Sequence, residues 1–133
     1  MDYTNTVFTR TLNVPEFKTE FDSIIKTLEQ NHIDNVEILF GWAWGNDYKN
    51  WIPFQIKVSD IVSEIDKPQK QSLGQFRHDD IFITLTEWEI EFLFCHESDI
   101  HLSFNDANEI TASIIDTWNS KEIIHSKRTN NVG

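Results

Sequence analysis

With 133 residues, 39% of them hydrophobic and 13% aromatic, the chain fits one domain with its own core and is too apolar for a disordered segment. Twenty-two acidic residues against eleven basic ones leave a formal charge of −11, a field that repels phosphate backbones and anionic lipid and attracts basic partners. The single cysteine, Cys95, excludes an internal disulfide, and neither a secretory leader nor a membrane-length apolar run is present, so a cytoplasmic single domain over residues 1–133 is expected.

Asn5 to Leu12 is rich in β-formers and reads as a first strand. Val14, Pro15 and Glu16 then open a helix, with proline suited to its first turn. Phe17, Phe21, Ile24, Ile25 and Leu28 follow at helical spacing, so one apolar stripe runs to about Asn31. Val36 to Trp44 alternates as a strand, with Val36, Ile38, Phe40, Trp42 and Trp44 on one face. Gly45, Asn46 and Asp47 form a turn. Trp51 to Lys57 reads as a further strand, which Pro53 confines to a sheet edge. Val58 to Ile65 fits a short helix stopped before Pro68, and Lys67 to Gln75 is a loop.

Three short strands come next. Ile81, Ile83 and Leu85, then Ile90, Phe92 and Phe94, then Ile100, Leu102 and Phe104 alternate with polar or smaller residues across gaps of hairpin length. That is an antiparallel meander. Asp106 and Glu109 resemble a capping box for a last helix with a stripe of Ala107, Ile110, Ile114 and Trp118. From about residue 125 the tail is polar and expected to fray. The sum is an α+β domain: a mainly antiparallel sheet of five to six strands, with two longer helices and one short helix packed on it.

Several constellations could carry chemistry. Cys95, His96, Glu97, Asp99 and His101 are the atoms of a transition-metal site. They cross a turn, however, the two histidines belong to different strands, and no second cysteine exists, which favours a surface hairpin with no metal. As a nucleophile Cys95 would need a base. His96, its neighbour on a strand, would face away, leaving His78 or His125 to serve. Glu87, Glu89 and Glu91 alternate and would form one acidic strip at intervals of about 7 Å, near Asp79 and Asp80. A basic partner would relieve their repulsion, while a solvated sheet face needs no partner. The run FGWAWGNDYKNW, residues 40–51, concentrates three tryptophans and a tyrosine. Trp42 fits the core. Trp44, Tyr48 and Trp51, at the turn, fit either core or an interface.

The run HDDIFITLTEWEIEFLFCHESDIHLSF, residues 78–104, resembles small immunity proteins of bacterial polymorphic and contact-dependent toxin systems. In those, an acidic segment leads into a strand, a strand–turn–strand like EFLFCHESDIHL, and a closing helix. The resemblance carries no catalytic residue. It implies a cytoplasmic protein that is not an enzyme, needs no cofactor, and neutralises one cognate toxin domain, often a basic nuclease, by tight one-to-one occlusion. Under that reading Trp44, Tyr48 and Trp51 are the anchors, and Asp47, Glu87, Glu89 and Glu91 the steering charges. The competing expectations are a small-molecule or carbohydrate-binding module using the same rings as a stacking platform, and a hydrolase centred on His96, Glu97, Asp99 and His101.

Overall fold

A computed structural model describes residues 3–41, 53–70 and 80–129. The chain runs β1 (Asn5–Thr9), α1 (Val14–Gln30), β2 (Asn35–Phe40), β3 (Phe54–Lys57), α2 (Ile61–Lys70), β4 (Ile81–Leu85), β5 (Ile90–Phe94), β6 (Ile100–Phe104), α3 (Glu109–Ser120) and β7 (Ile124–Thr129). The strands form one sheet in the order β3-β2-β4-β5-β6-β1-β7. Every neighbouring pair is antiparallel. This is the expected α+β architecture, with seven strands in place of five to six. Among the described residues, no helix is long and apolar enough to cross a membrane.

The two sheet faces differ by alternation. Val36, Ile38, Phe40, Ile81, Ile83, Leu85, Ile90, Phe92, Phe94, Ile100, Leu102 and Phe104 are buried and meet the apolar stripes of the helices. The residues between them, among them Glu37, Leu39, Phe82, Thr84, Glu91, Leu93, His101 and Ser103, are only partly buried. This second face is called the open face below.

Helix α1 follows its sequence signals closely. Asn13 Oδ1 accepts the Glu16 backbone N–H at 2.9 Å, and Glu16 Oε1 accepts the Asn13 N–H at 3.1 Å, a reciprocal cap on two donors the helix leaves unpaired. The Arg10 guanidinium grips the same Glu16 carboxylate and holds it down to about 2. Phe17, Phe21, Ile24, Ile25 and Leu28 are all buried, as their spacing requires. Pro53 precedes β3, which is an edge strand.

Other expectations are corrected. The first strand ends at Thr9, not Leu12, where the pairing of β1 with β7 shifts register. Helix α2 starts after a 3-10 turn at Val58–Asp60 and continues through Pro68 to Lys70. Proline removes one backbone donor there, close enough to the helix end that little of the ladder is lost. Helix α3 is capped by Asn108, with Thr111 as its reciprocal partner, in place of Asp106 with Glu109. Asn108 Oδ1 accepts the N–H groups of Ile110 and Thr111 at 2.9 and 3.0 Å, so Asn108→Ala is expected to cost about 1 kcal/mol. In a thermal melt that is a fall of roughly 4 °C in Tm.

The largest correction concerns the tail. Residues 124–129 are strand β7, paired with β1 from Asn5↔Thr129 to Thr9↔Ile124. As an edge strand it is exposed at five of six positions, so it shows no apolar alternation, and its Lys127 and Arg128 suit an edge that should not recruit another chain.

Candidate functional site

Among the described residues, two regions hold chemistry-bearing side chains, and they lie towards opposite ends of strands β4 and β5. The first is the β5–β6 turn. Strand β5 ends at Phe94, and Cys95 and Asp99 sit opposite each other, the Cys95 N–H donating to the Asp99 carbonyl at 2.9 Å. Ser98 turns the chain with a positive φ of 66°. Because Asp99 and His101 are two residues apart, they share a face, and His101 Nε2 meets Asp99 Oδ2 at 2.9 Å. On the other flank, Asp80 precedes β4, and its Oδ1 accepts the His96 backbone N–H and faces His96 Nδ1, both at 2.8 Å.

The turn therefore gathers what the linear spacing was expected to scatter. Ligating atoms of Asp80, Cys95 and His96 lie within 4.8 Å of one another, and so do those of Cys95, Asp99 and His101. Cys95 is common to both sets. The expectation that His96 faces away from the sulfur is also corrected: Nδ1 lies 3.8 Å from Cys95 Sγ. The strand geometry behind that expectation stops one residue earlier. Asp80, on the far side of Cys95, gave no sequence signal of joining this group; its pairing emerges only from the β4–β5 register.

The surroundings of Cys95 disfavour the thiolate that a nucleophile would need. Burial, reinforced by the nearby Asp99 and Asp80 carboxylates, pushes the Cys95 thiol up to about 12. The His96 nitrogen nearest the sulfur is the same one that meets Asp80, so the carboxylate does not steady the ring from its far side. Hydrogen bonding to Asp80 raises His96, which favours imidazolium over the free base that deprotonation requires.

The second region is acidic. On the open face Glu37, Thr84 and Glu91 are successive partners across β2, β4 and β5. Thr84 Oγ1 donates weakly to Glu91 Oε2 at 3.4 Å. Burial raises the Glu91 carboxyl above its usual range, the Thr84 hydrogen bond and the charge of the N-terminal ammonium oppose this, and the Glu37 charge adds to it. Burial and the charges of Glu91, Glu37 and Glu89 push the Tyr3 phenol up to about 12. A cleft of about 870 Å³ adjoins this row, between the end of α1 and the β4–β5 connection. Asp34, Glu37, Glu87 and Trp88 line it, together with His32, and among the described residues no lysine or arginine does. The last turn of α1, whose end forms one wall, carries no basic residue either, so its carbonyl end adds negative potential.

The expected strip of Glu87, Glu89 and Glu91 is not a strip. Thr86–Trp88 is a 3-10 turn and Glu89 is left-handed at φ 53°, which breaks the alternation. Glu87 borders the cleft, Glu89 is exposed on the turn, and Glu91 lies on the open face. Trp44, Asp47, Tyr48 and Trp51 lie outside the described residues. Trp88 packs partly buried against the core and also enters the cleft wall.

Glu91 gives a pH test of this description. A carboxyl raised in the folded state contributes stability below its unfolded pKa and loses it as pH rises through the folded value. Glu91→Gln keeps an acceptor for Thr84 and removes the charge. Its urea midpoint should match the parent in acid and exceed it at neutral pH; a midpoint below the parent's at pH 7 would contradict the burial effect.

Compared with known protein families, curated proteins and solved structures, the chain matches none of them.

Proposed function

We propose that this protein is a non-enzymatic immunity protein that binds and neutralises a cognate, basic toxin domain in the cytoplasm. The observation that carries the reading is the acidic open face with its adjoining cleft, where a half-buried Glu91, Glu37, Asp34 and Glu87 stand with Trp88 and, among the described residues, no lining lysine or arginine. Carboxylates that are partly desolvated are stabilised by an incoming lysine or arginine. An indole beside them offers the cation a π face and apolar area. The overall charge of −11 extends the same attraction to long range, which speeds encounter with a cationic nuclease. The resemblance of residues 78–104 to toxin-immunity proteins adds the biological setting.

The test uses the toxin domain encoded immediately upstream of this chain's own gene. Co-expression should restore growth, and the purified pair should form a one-to-one complex. Glu87→Lys should slow association and flatten its salt dependence, whereas Trp51→Ala should mainly speed dissociation. Absence of both rescue and complex, or an association rate indifferent to salt, would sink the reading.

A further inference from the structure

We propose that Cys95, Asp99 and His101 form a binding site for one zinc-class divalent cation, with the fourth coordination position open to solvent or to a partner's side chain. This site is independent of the acidic cleft and of the toxin-binding reading.

Geometry is the first support. A thiol sulfur, a carboxylate oxygen and an imidazole nitrogen lie within 4.8 Å of one another, brought together by the Cys95–Asp99 pair that closes the β5–β6 turn and by the i, i+2 spacing of Asp99 and His101. With metal–ligand bonds of about 2.0–2.3 Å, tetrahedral ligand atoms stand roughly 3.3–3.7 Å apart. Asp99 Oδ2 and His101 Nε2, now 2.9 Å apart, would need to separate by only about half an ångström to admit the ion. His101 is already oriented: Phe8 packs against its ring edge-on, with centroids 4.6 Å apart. That contact limits rotation of the ring about its side-chain bonds and keeps Nε2 turned towards Asp99.

Unmet bonding is the second. Asp99 Oδ1 is buried with no partner at hydrogen-bond geometry among the described residues, and the bonding its carboxylate does have comes from His101 and the neighbouring Cys95 thiol, the two groups a cation would join to it. A buried carboxylate oxygen left unpaired is costly unless something positive completes it. The opposite flank differs. Asp80 Oδ1 already meets the His96 backbone N–H and ring nitrogen at 2.8 Å each, so that pair is internally satisfied.

Charge is the third. One thiolate and one carboxylate balance a dication, so the filled site is neutral, which a partly buried position requires. The donor set of sulfur, nitrogen and oxygen selects zinc-like ions over magnesium or calcium, which prefer oxygen alone. On binding, the Cys95 proton leaves to solvent and no redox change occurs.

The test is titration of the tag-free, reduced, full-length protein with Co²⁺, followed by displacement with Zn²⁺. A thiolate-to-cobalt charge-transfer band with one ion per chain is expected, bleached by zinc. Cys95→Ser should abolish the band. Asp99→Asn and His101→Ala should weaken Zn²⁺ binding by at least about tenfold, on the scale of losing a ligand or its support, while His96→Ala leaves it unchanged. Should Cys95→Ser fail to fold, the Asp99→Asn and His101→Ala affinities decide alone. The proposal is overturned by a wild-type cobalt spectrum without thiolate charge transfer. Wild-type affinity in both Asp99→Asn and His101→Ala, or binding that depends on His96 and not on His101, overturns it equally.

Discussion

Phe94→Ala is expected to lower stability by about 3–5 kcal/mol, the range for emptying a fully buried aromatic site. Phe94 has no exposed surface and sits on a central strand. Phe21 and Phe17 of α1 both meet its ring edge-on, at centroid distances of 5.0 and 6.1 Å, and Phe92 stacks beside it at 6.4 Å. Alanine removes the surface on which α1 docks, and neighbouring β-strands are too constrained to close the gap. Against a total of about 5–15 kcal/mol, the loss is a large share of what holds the domain together. In urea the midpoint should drop by roughly 2 M at unchanged slope. Leu93→Ala, one residue away on the open face, is the control and should cost less than half as much. Equal costs for the two would show that the sheet does not have one covered face and one open face.

Lys121→Ala is the second large effect, for a different reason. Lys121 Nζ meets Glu20 Oε2 at 2.6 Å, joining the end of α3 to the middle of α1. The Glu20 side chain is only 4% exposed and its Oε1 has no partner, while Lys121 remains 41% exposed. Deleting the lysine leaves a buried carboxylate without its cation. Orphaning one member of a fully buried pair costs about 3–5 kcal/mol; solvent around Lys121 discounts that to about 2 kcal/mol. Replacing the pair should behave otherwise. Glu20→Met alone should be near neutral, because methionine fills similar volume without a charge to solvate, and Glu20→Met with Lys121→Ala should recover most of the loss. A double variant as unstable as Lys121→Ala would mean that the lysine acts through packing and not through charge.

How much of this was legible in the sequence depended on whether an element has an inside. Helix α1 and strands β4, β5 and β6 each bury one face, so Phe17 to Leu28 and Ile81 to Phe104 carry the period of their structure. Strand β7 buries almost nothing, and a polar run such as HSKRT looks the same as a strand or as a frayed tail. The acidic residues are illegible for a related reason: the alternation of β5 does not extend back through Glu89 and Glu87, because a 3-10 turn interrupts it there. At Cys95 the same assumption failed in the other direction. Two residues beyond the last ladder position, Phe94, His96 turns onto Asp80 and approaches the sulfur. Sites at the ends of strands depend on register between segments distant in sequence, as Asp80 and Cys95 show, and no local pattern reports that.

The placement of β1 between β6 and β7 has a kinetic consequence. Thr6 is hydrogen-bonded to Ser103, 97 residues away, and Asn5 stands opposite Thr129, so this strand cannot be secured until nearly all of the chain has been gathered. The β4–β6 meander can assemble from neighbours, but insertion of β1 must close very long loops before its ladder bonds are gained. Slow, late docking of β1 and β7 follows, and an intermediate lacking them would present the raw edge of β6 to other copies. Chains cut back before residue 124 should therefore aggregate while refolding even where the meander itself still forms.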